Sequence, residues 1–523
     1  MSDLKRKIAD CYNANPLKCI ILAAFVVRLL SVLFSKGFGM HDDHFLIIES
    51  SKSWILGFDY NNWLPWSQAV DNPVPSGHSL FYPGFMYGFF AVLEFLGIKS
   101  LNTQMYFVRL IHALWSLLIV YYGYKITEKY TNRNTANAAG WTLALFFLMP
   151  WLSVRNLVEV VAIPFLMAAT WLYVKDEKPK WSRVLWVGIL LGMAMCVRYQ
   201  VMFFIGGFGL ALLIMRRWRD AVIIAFAVIL SFSVIQCIPD MLLWHRPFAE
   251  FWEYVIYNLD NSTTYFNQPW YNYLLVILGL MLPPVSVFIF GGFLLEWKKW
   301  ILFLPSFSFL FFHSIFPNKQ ERFIFTIFPF IMFLGIMGIH DFWQKRKASC
   351  HFDRPEGVEK SHLLKTFKVC LWISLILNII AIIPTTVHYS KKARVEAMVY
   401  LSNYPESDYY IIEGMLSNGV RMPVETYADH HFKGHGKVHK KRPWDAELNF
   451  INEYPVSFVL FEGEENLDER VAEAKKYIPN LVFDVKCKES FLDALVQAIN
   501  PINENYPIII YRNADVIPEK KTK

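Results

Sequence analysis

Long apolar runs separated by short polar stretches make up most of the chain, and the alternation stops near residue 390. A helix that crosses a bilayer needs about 20 mostly apolar residues. Eleven segments reach or approach that length: residues 17–35, 107–124, 137–153, 159–174, 184–197, 201–215, 220–237, 271–292, 300–316, 323–340 and 366–388. A twelfth, "YPGFMYGFFAVLEFLG" at 82–97, is short, carries Glu94 and is bounded by Pro83 and Gly97. Loop charge decides its placement. If 82–97 lies along the surface, "KITEKYTNR", "KDEKPKWSR", "RRWR", "EWKK" and "QKRKASCHFDR" all share a side with the N-terminal "KRK"; if it crosses, the sidedness scrambles. The segment is therefore predicted to be an interfacial helix. The N-terminus is then cytoplasmic, and the long loops 37–106 and 238–270 face the other side. Lys391, Lys392 and Arg394, just past the last span, run against the rule.

Beyond residue 390 the pattern changes. Helix-like stretches ("RVEAMVYLSNY", "LDERVAEAKKYI", "SFLDALVQAIN") alternate with strand-like ones ("DYYIIEG", "VSFVLFEG", "LVFDVK", "YPIIIYR"). That predicts a small α/β domain outside the membrane. The expected division is a transmembrane domain at 1–388 and a soluble extracytoplasmic domain at 389–523.

Composition agrees with many spans: 55% of the 523 residues are hydrophobic, 17% aromatic and only 18% charged, which points away from soluble enzymes. A net charge of +7 is small for this length and reads as loop charge, so no nucleic-acid partner is expected. Of seven cysteines, Cys11, Cys19, Cys196, Cys237, Cys350 and Cys370 lie in or beside spans and Cys487 in the polar tail, which supports no disulfide framework. No small-residue cleavage pattern follows the first apolar run, which is read as a retained signal anchor.

Candidate chemistry gathers on the outer side. The stretch "GMHDDHFLIIES" at 39–50 places Asp42 and Asp43, flanked by His41 and His44, at the mouth of the first span. Phe45, Ile48, Trp54 and Ile55 recur at roughly helical spacing, so the carboxylates open a surface helix whose dipole favours the ionised form. Either they cap that helix, or one is a general base that takes a proton from a hydroxyl at the membrane surface. Arg155 and Glu159 flank one span start, and Arg198 lies in a very short turn. "FPNKQERFIF" adds Lys319, Glu321 and Arg322, cations suited to a phosphate. Asp240, His245, Arg246, Tyr257, Asn258, Trp270 and Tyr271 offer a polar and aromatic surface for a sugar, although aromatics at this level also serve as membrane anchors. The run "DHHFKGHGKVHKKR" at 429–442 fits no tetrahedral zinc spacing and reads as a solvated basic loop. No metal site is assigned, and a divalent metal stays open.

"HDDHF" resembles the "HPDE" motif, with its following aromatic, of glycosyltransferase family 22, the lipid-phosphate-mannose-dependent mannosyltransferases of N-glycan precursor and GPI-anchor assembly. "PDMLLWHRPFAEFWEYVIYNLDNSTTYFNQPWYNYL", "NKQERFIF", "VRNLVE" and "SLFYP" are similar to four further family blocks, in order, over about residues 20–340. The family's proline is missing, so either Asp42 and Asp43 stand for its Asp-Glu pair or Asp43 and His44 do. Asn318 and Gln320 stand where the family has His and Glu.

The resemblance implies a GT-C fold: an all-α polytopic membrane protein of about eleven transmembrane helices, with interfacial helices in the first outer loop and the small α/β domain at the C-terminus. It implies transfer of a sugar, mannose above all, from a polyprenyl-phosphate donor to a glycan or glycolipid acceptor with inversion, and no cofactor beyond that co-substrate. Asp42 or Asp43 would be the base, Arg322, Lys319 and Arg198 would hold the donor phosphate, and His41, His44, Arg155, Glu159, Asp240, His245, Tyr257, Asn258 and Trp270 would contact substrate. Two other classes compete. One is a GT-C enzyme using another lipid-linked sugar or a protein or lipid A acceptor. The other is a transporter, favoured by Arg28 in mid-span.

Overall fold

The computed structural model describes residues 10, 12–264, 266–349, 358–415, 419–500 and 504–520. Cys11, Cys350, the N-terminal "KRK" and part of "QKRKASCHFDR" lie outside the described residues.

Every apolar segment read from the sequence is helical. In chain order the helices are α1 (Pro16–Phe34), α2 (residues 41–55), α3 (Phe81–Phe95), α4 (Leu101–Tyr130), α5 (Arg133–Leu145), α6 (Leu148–Leu152), α7 (Val158–Val174), α8 (Trp181–Val197), α9 (Tyr199–Ile214), α10 (Trp218–Trp244), α11 (Ala249–Asp260), α12 (Asn272–Leu280), α13 (Val285–Leu295), α14 (Trp300–Ile315), α15 (Glu321–Arg346) and α16 (Val358–Thr386). The fold is that of a polytopic membrane protein. At 15 residues, α3 is about 22 Å long.

The chain clusters into two compact units. One comprises residues 1–32, 63–82 and 109–387; the other comprises 33–62, 83–108 and 388–523. The second therefore takes in two pieces of the segment between α1 and α4 besides the C-terminal region.

In the first unit, two segments expected as single spans are broken. Between α5 and α6 the chain turns at Phe146, and the freed backbone groups find partners, as a lipid interior requires. Asn378 on α16 donates to the Leu145 carbonyl (2.9 Å) and accepts from the Phe147 N–H (2.8 Å), and the Thr385 hydroxyl donates to the Phe147 carbonyl. The carbonyls of Leu143 and Ala144 receive the fully buried Arg28 guanidinium, whose Nε also reaches the Ser116 hydroxyl at 2.8 Å. Arg28 thus fastens a broken helix, which removes the feature that favoured transport. The second break, between α12 and α13, is closed by Ser374, which donates to the Leu282 carbonyl and accepts from the Val285 N–H. Helices α13 and α15 cross closely because a Cβ on Gly292 would fall 2.2 Å from the Gly335 carbonyl oxygen.

In the second unit, residues 388–520 build a five-stranded mixed sheet from β1 (Tyr409–Glu413), β2 (Gly434–Val438), β3 (Val456–Glu462), β4 (Leu481–Cys487) and β5 (Ile508–Asn513), in the order β2-β1-β3-β5-β4. Strands β2 and β3 run parallel to β1, and β5 runs antiparallel to β3 and β4. Central β3 is buried along its whole length. Ile411, Val459, Phe461 and Ile509 pack against Val471, Ala474 and Ile478 of the segment around helix α19 (Leu467–Tyr477), which follows α17 (Lys392–Leu401) and α18 (Leu448–Glu453) and precedes α20 (Phe491–Ile499). The expected basic loop 429–442 is corrected: its middle is edge strand β2, because alternate positions Gly436 and Val438 are buried.

Candidate functional site

The candidate residues form two groups, one in each unit. In the second unit the acidic pair divides its work. Asp43, 1% exposed, accepts the Gly39 N–H (3.0 Å) on one oxygen and the Met40 N–H (3.1 Å) on the other, closing the turn before α2. Asp42 is half-buried, one position along the same first turn. The cap and the base considered for these carboxylates thus suit different residues: Asp43 has the contacts of a cap, while Asp42 has exposure. His41 is exposed and stacks on Phe45 at 4.5 Å.

Helix α2 carries a π turn at Phe45–Glu49. Such turns recur at functional sites because the extra residue re-aims side chains. Here His44 and Glu49, 1% and 0% exposed, pair across it at 2.8 Å. The buried face of α2 is largely polar, since Glu49, Ser50, Ser51, Lys52 and Ser53 are all buried. Lys52 reaches Glu94 at 2.5 Å, which gives the acid within α3 its partner. The Arg394 guanidinium lies over the rings of Phe38 (5.2 Å) and Phe45 (5.7 Å), and burial pushes its pKa down to about 10.

In the first unit, Arg198, Glu159 and Arg322 come together. Glu159, fully buried at the start of α7, forms an ion pair with Arg198 and lies 3.9 Å from the Arg322 Nε. Gln200 accepts from Arg198, and Gln320 accepts from the Arg322 Nε at 2.8 Å. Both guanidinium groups lie over the Phe323 ring, at 5.0 and 5.3 Å. Two arginines against one carboxylate leave an excess positive charge. The buried Arg198 Nε and Glu159 Oε2 have no hydrogen-bond partner among the described residues, and such buried polar atoms are costly unless something else satisfies them.

The remaining candidates are placed differently. Lys319 is buried and its amine donates to the carbonyls of Gln268 and Phe316, tying two segments together, a role the phosphate-binding expectation did not include. Asp240, also buried, accepts from the Gln236 side chain and the Glu250 N–H, as a support beneath α11. Arg155 is buried with its guanidinium over the Trp151 ring at 4.9 Å. His245 takes a left-handed conformation and is exposed, as are Tyr257 and Trp270, and the Asn258 amide donates within α11 to the Tyr254 carbonyl.

Sequence reasoning missed Glu49, Gln200 and Glu250. Glu49 had a signal, an acid directly after the apolar run Phe45–Ile48. Glu250 is fully buried: it accepts from the Ser76 hydroxyl (2.9 Å), the Gly77 N–H (2.8 Å), the His78 N–H and the Trp244 indole, and burial pushes its carboxyl up to about 7.

The sequence profile of the Alg9-like mannosyltransferase family matches residues 19–411 of this chain. The chain belongs to that family. Over 337 residues it is 24% identical to GPI mannosyltransferase 3 of Candida albicans, a match covering 61% of this chain and 64% of that relative. Among solved structures, ArnT from Cupriavidus metallidurans bound to undecaprenyl phosphate aligns with a TM-score of 0.59 at 12% identity, covering 97% of this chain and 99% of that one. The oligosaccharyltransferase AglB from Archaeoglobus fulgidus, in complex with an inhibitory peptide and a dolichol-phosphate, aligns at 0.50 and 9% identity, covering 91% and 73%. At these identities the likeness is one of fold, and the family member has the GT-C fold.

Proposed function

We propose that this member of the Alg9-like family is a membrane glycosyltransferase. It moves a sugar, mannose by the family's chemistry, from a polyprenyl-phosphate donor to a hydroxyl of a glycan or glycolipid on the extracytoplasmic face. The observation that carries this reading is the Arg198–Glu159–Arg322 cluster, which has excess positive charge and an unsatisfied buried guanidinium N–H. Fixed donors aimed at a group that gains negative charge stabilise the transition state more than the ground state.

In the proposed step Asp42 removes the proton from the acceptor hydroxyl as its oxygen attacks the anomeric carbon. The bond from that carbon to the donor phosphate oxygen breaks, and its electron pair stays on the phosphate, which Arg322 and Arg198 stabilise. Attack opposite the leaving group inverts the anomeric centre. Glu159 holds both guanidinium groups in place and keeps their net charge from repelling them. The lipid-phosphate ligands named with ArnT and AglB support a polyprenyl-phosphate co-substrate by fold alone.

The test is incubation of the purified protein with polyprenyl-phosphate mannose and a mannose-ended glycolipid. Equal amounts of polyprenyl phosphate and extended glycolipid are expected. Turnover with a different lipid-linked sugar only would replace mannose as the donor sugar, and release from none of them would remove the transferase reading.

A further inference from the structure

The hydrogen bonds of the second unit run from the acidic head of α2 into the C-terminal sheet through one segment, residues 423–431. Glu49, whose one oxygen holds His44, accepts the Thr426 N–H on the other at 3.1 Å. The His44 ring is stacked between Phe38 (4.8 Å) and Tyr427 (5.4 Å). The Tyr60 hydroxyl, just past α2, donates to the Pro423 carbonyl at 3.1 Å, and Phe58 stacks on His431 at 3.8 Å. The same segment is fixed to the sheet: Glu425 accepts the Tyr410 hydroxyl of β1 and pairs with His435 of β2 at 2.8 Å.

A fully buried carboxyl that spans a helix and a separate backbone amide is a costly device, because removing either partner leaves a buried polar group unsatisfied. Stability is obtained more cheaply by apolar packing. What this arrangement supplies is a fixed place and tilt for the first turn of α2. We propose that Glu49 is a positioning residue for Asp42, and that the C-terminal domain, through residues 423–431, acts as the template that sets the catalytic carboxylate in register. This rests on the reading of Asp42 as the base.

The test compares Glu49→Ala, Glu49→Gln and Asp42→Asn in the transfer assay, with free sugar measured beside product. A shift of about 1 Å in a reacting group costs up to about a hundredfold in rate. Glu49→Ala is therefore expected to lower kcat by one to two orders of magnitude with donor KM unchanged. The ratio of donor hydrolysis to transfer should rise, because a displaced base serves water as readily as the acceptor, whereas a merely smaller folded fraction leaves that ratio alone. Glu49→Gln, which can still accept the Thr426 N–H, should recover part of kcat. If Glu49→Ala retains wild-type kcat and ratio while Asp42→Asn is inactive, positioning is overturned and the base survives. If Asp42→Asn is also active, the base itself is wrong. Should Glu49→Ala fail to accumulate, Tyr427→Leu, which keeps the His44–Glu49 hydrogen bond, reads the same link: a raised hydrolysis ratio supports it and an unchanged ratio overturns it.

Discussion

At the scale of single residues, the two adjacent aspartates are unequal because their backbones point them differently. Asp43 satisfies two N–H groups of the preceding turn, so Asp43→Asn keeps one acceptor oxygen and is expected to cost about 1 kcal/mol of stability, in the range of a lost cap, with kcat reduced tenfold or less. Asp42→Asn removes the proposed base and should lower kcat by about two to four orders of magnitude with an unchanged melting temperature. Steady-state kinetics and thermal unfolding on the two variants separate the roles, and the reverse ranking would make Asp43 the base. Arg322→Ala is expected to reduce kcat/KM for the donor by about one to two orders of magnitude, the worth of a charged hydrogen bond to phosphate, and unchanged kinetics would take it out of the site. The residue types of this chemistry were legible because a charge beside an apolar run stands out. Which of them meet was not: Glu159 and Arg322 lie 163 positions apart in the numbering, and only tertiary packing tells a site arginine from Lys319, whose amine is engaged by two carbonyls.

At the scale of elements, the length of apolar runs recovered the helices, and four of the five strands were readable as apolar, β-branched and aromatic runs. Edge strand β2 was not, since its sequence Gly434–Val438 is mostly glycine, histidine and lysine and it is held by pairing with β1 rather than by propensity. The helix breaks at Phe146 and Met281 were equally hidden, because an apolar run looks alike whether it is continuous or interrupted. One element, the strap at Ser76–Gly77–His78, carries a pH prediction. Its anchor, Glu250, faces Asp240, which adds to the rise, while the hydrogen bonds from Ser76, Gly77 and His78 oppose it, and burial is the largest cause. A carboxyl whose folded pKa is about 7, above its unfolded value of about 4.3, holds its proton better when folded. Its ionisation therefore costs nothing below about pH 4, and the cost grows as pH rises to about 7 and is complete above it, on the order of 3 kcal/mol. Thermal unfolding is expected at higher temperature near pH 5.5 than near pH 8, with amide exchange at Gly77 and His78 slowed in parallel. Glu250→Gln should flatten that part of the profile, and an unchanged profile would show that the carboxyl titrates elsewhere.

At the scale of the whole molecule, the turns between helices carry the orientation. Along the first unit, α4 and α5, α7 and α8, α9 and α10, α13 and α14, and α15 and α16 are joined at the basic runs, whereas α6 and α7, α8 and α9, α10 and α12, and α14 and α15 are joined where Arg155, Arg198, His245 to Trp270 and Lys319 sit. From the cations carried by every second turn we propose that those turns are cytoplasmic and that the intervening turns, with the candidate site residues, face outward. This alternation holds only if α3 does not cross. In a chain whose seven cysteines are replaced, single cysteines at Arg133, Lys178 and Arg217 are expected to react only with a reagent that reaches the cytoplasm. Cysteines at Ser76, at Asn102 beyond α3, and at Lys433 in the C-terminal domain should react with an impermeant reagent from outside. Opposite labelling of Ser76 and Asn102 would make α3 a span and reverse every later turn. The basic runs would then face outward, against the charge bias, and the cluster of Arg198, Glu159 and Arg322 would face the cytoplasm, where a nucleotide sugar rather than a lipid-linked one would be the available donor.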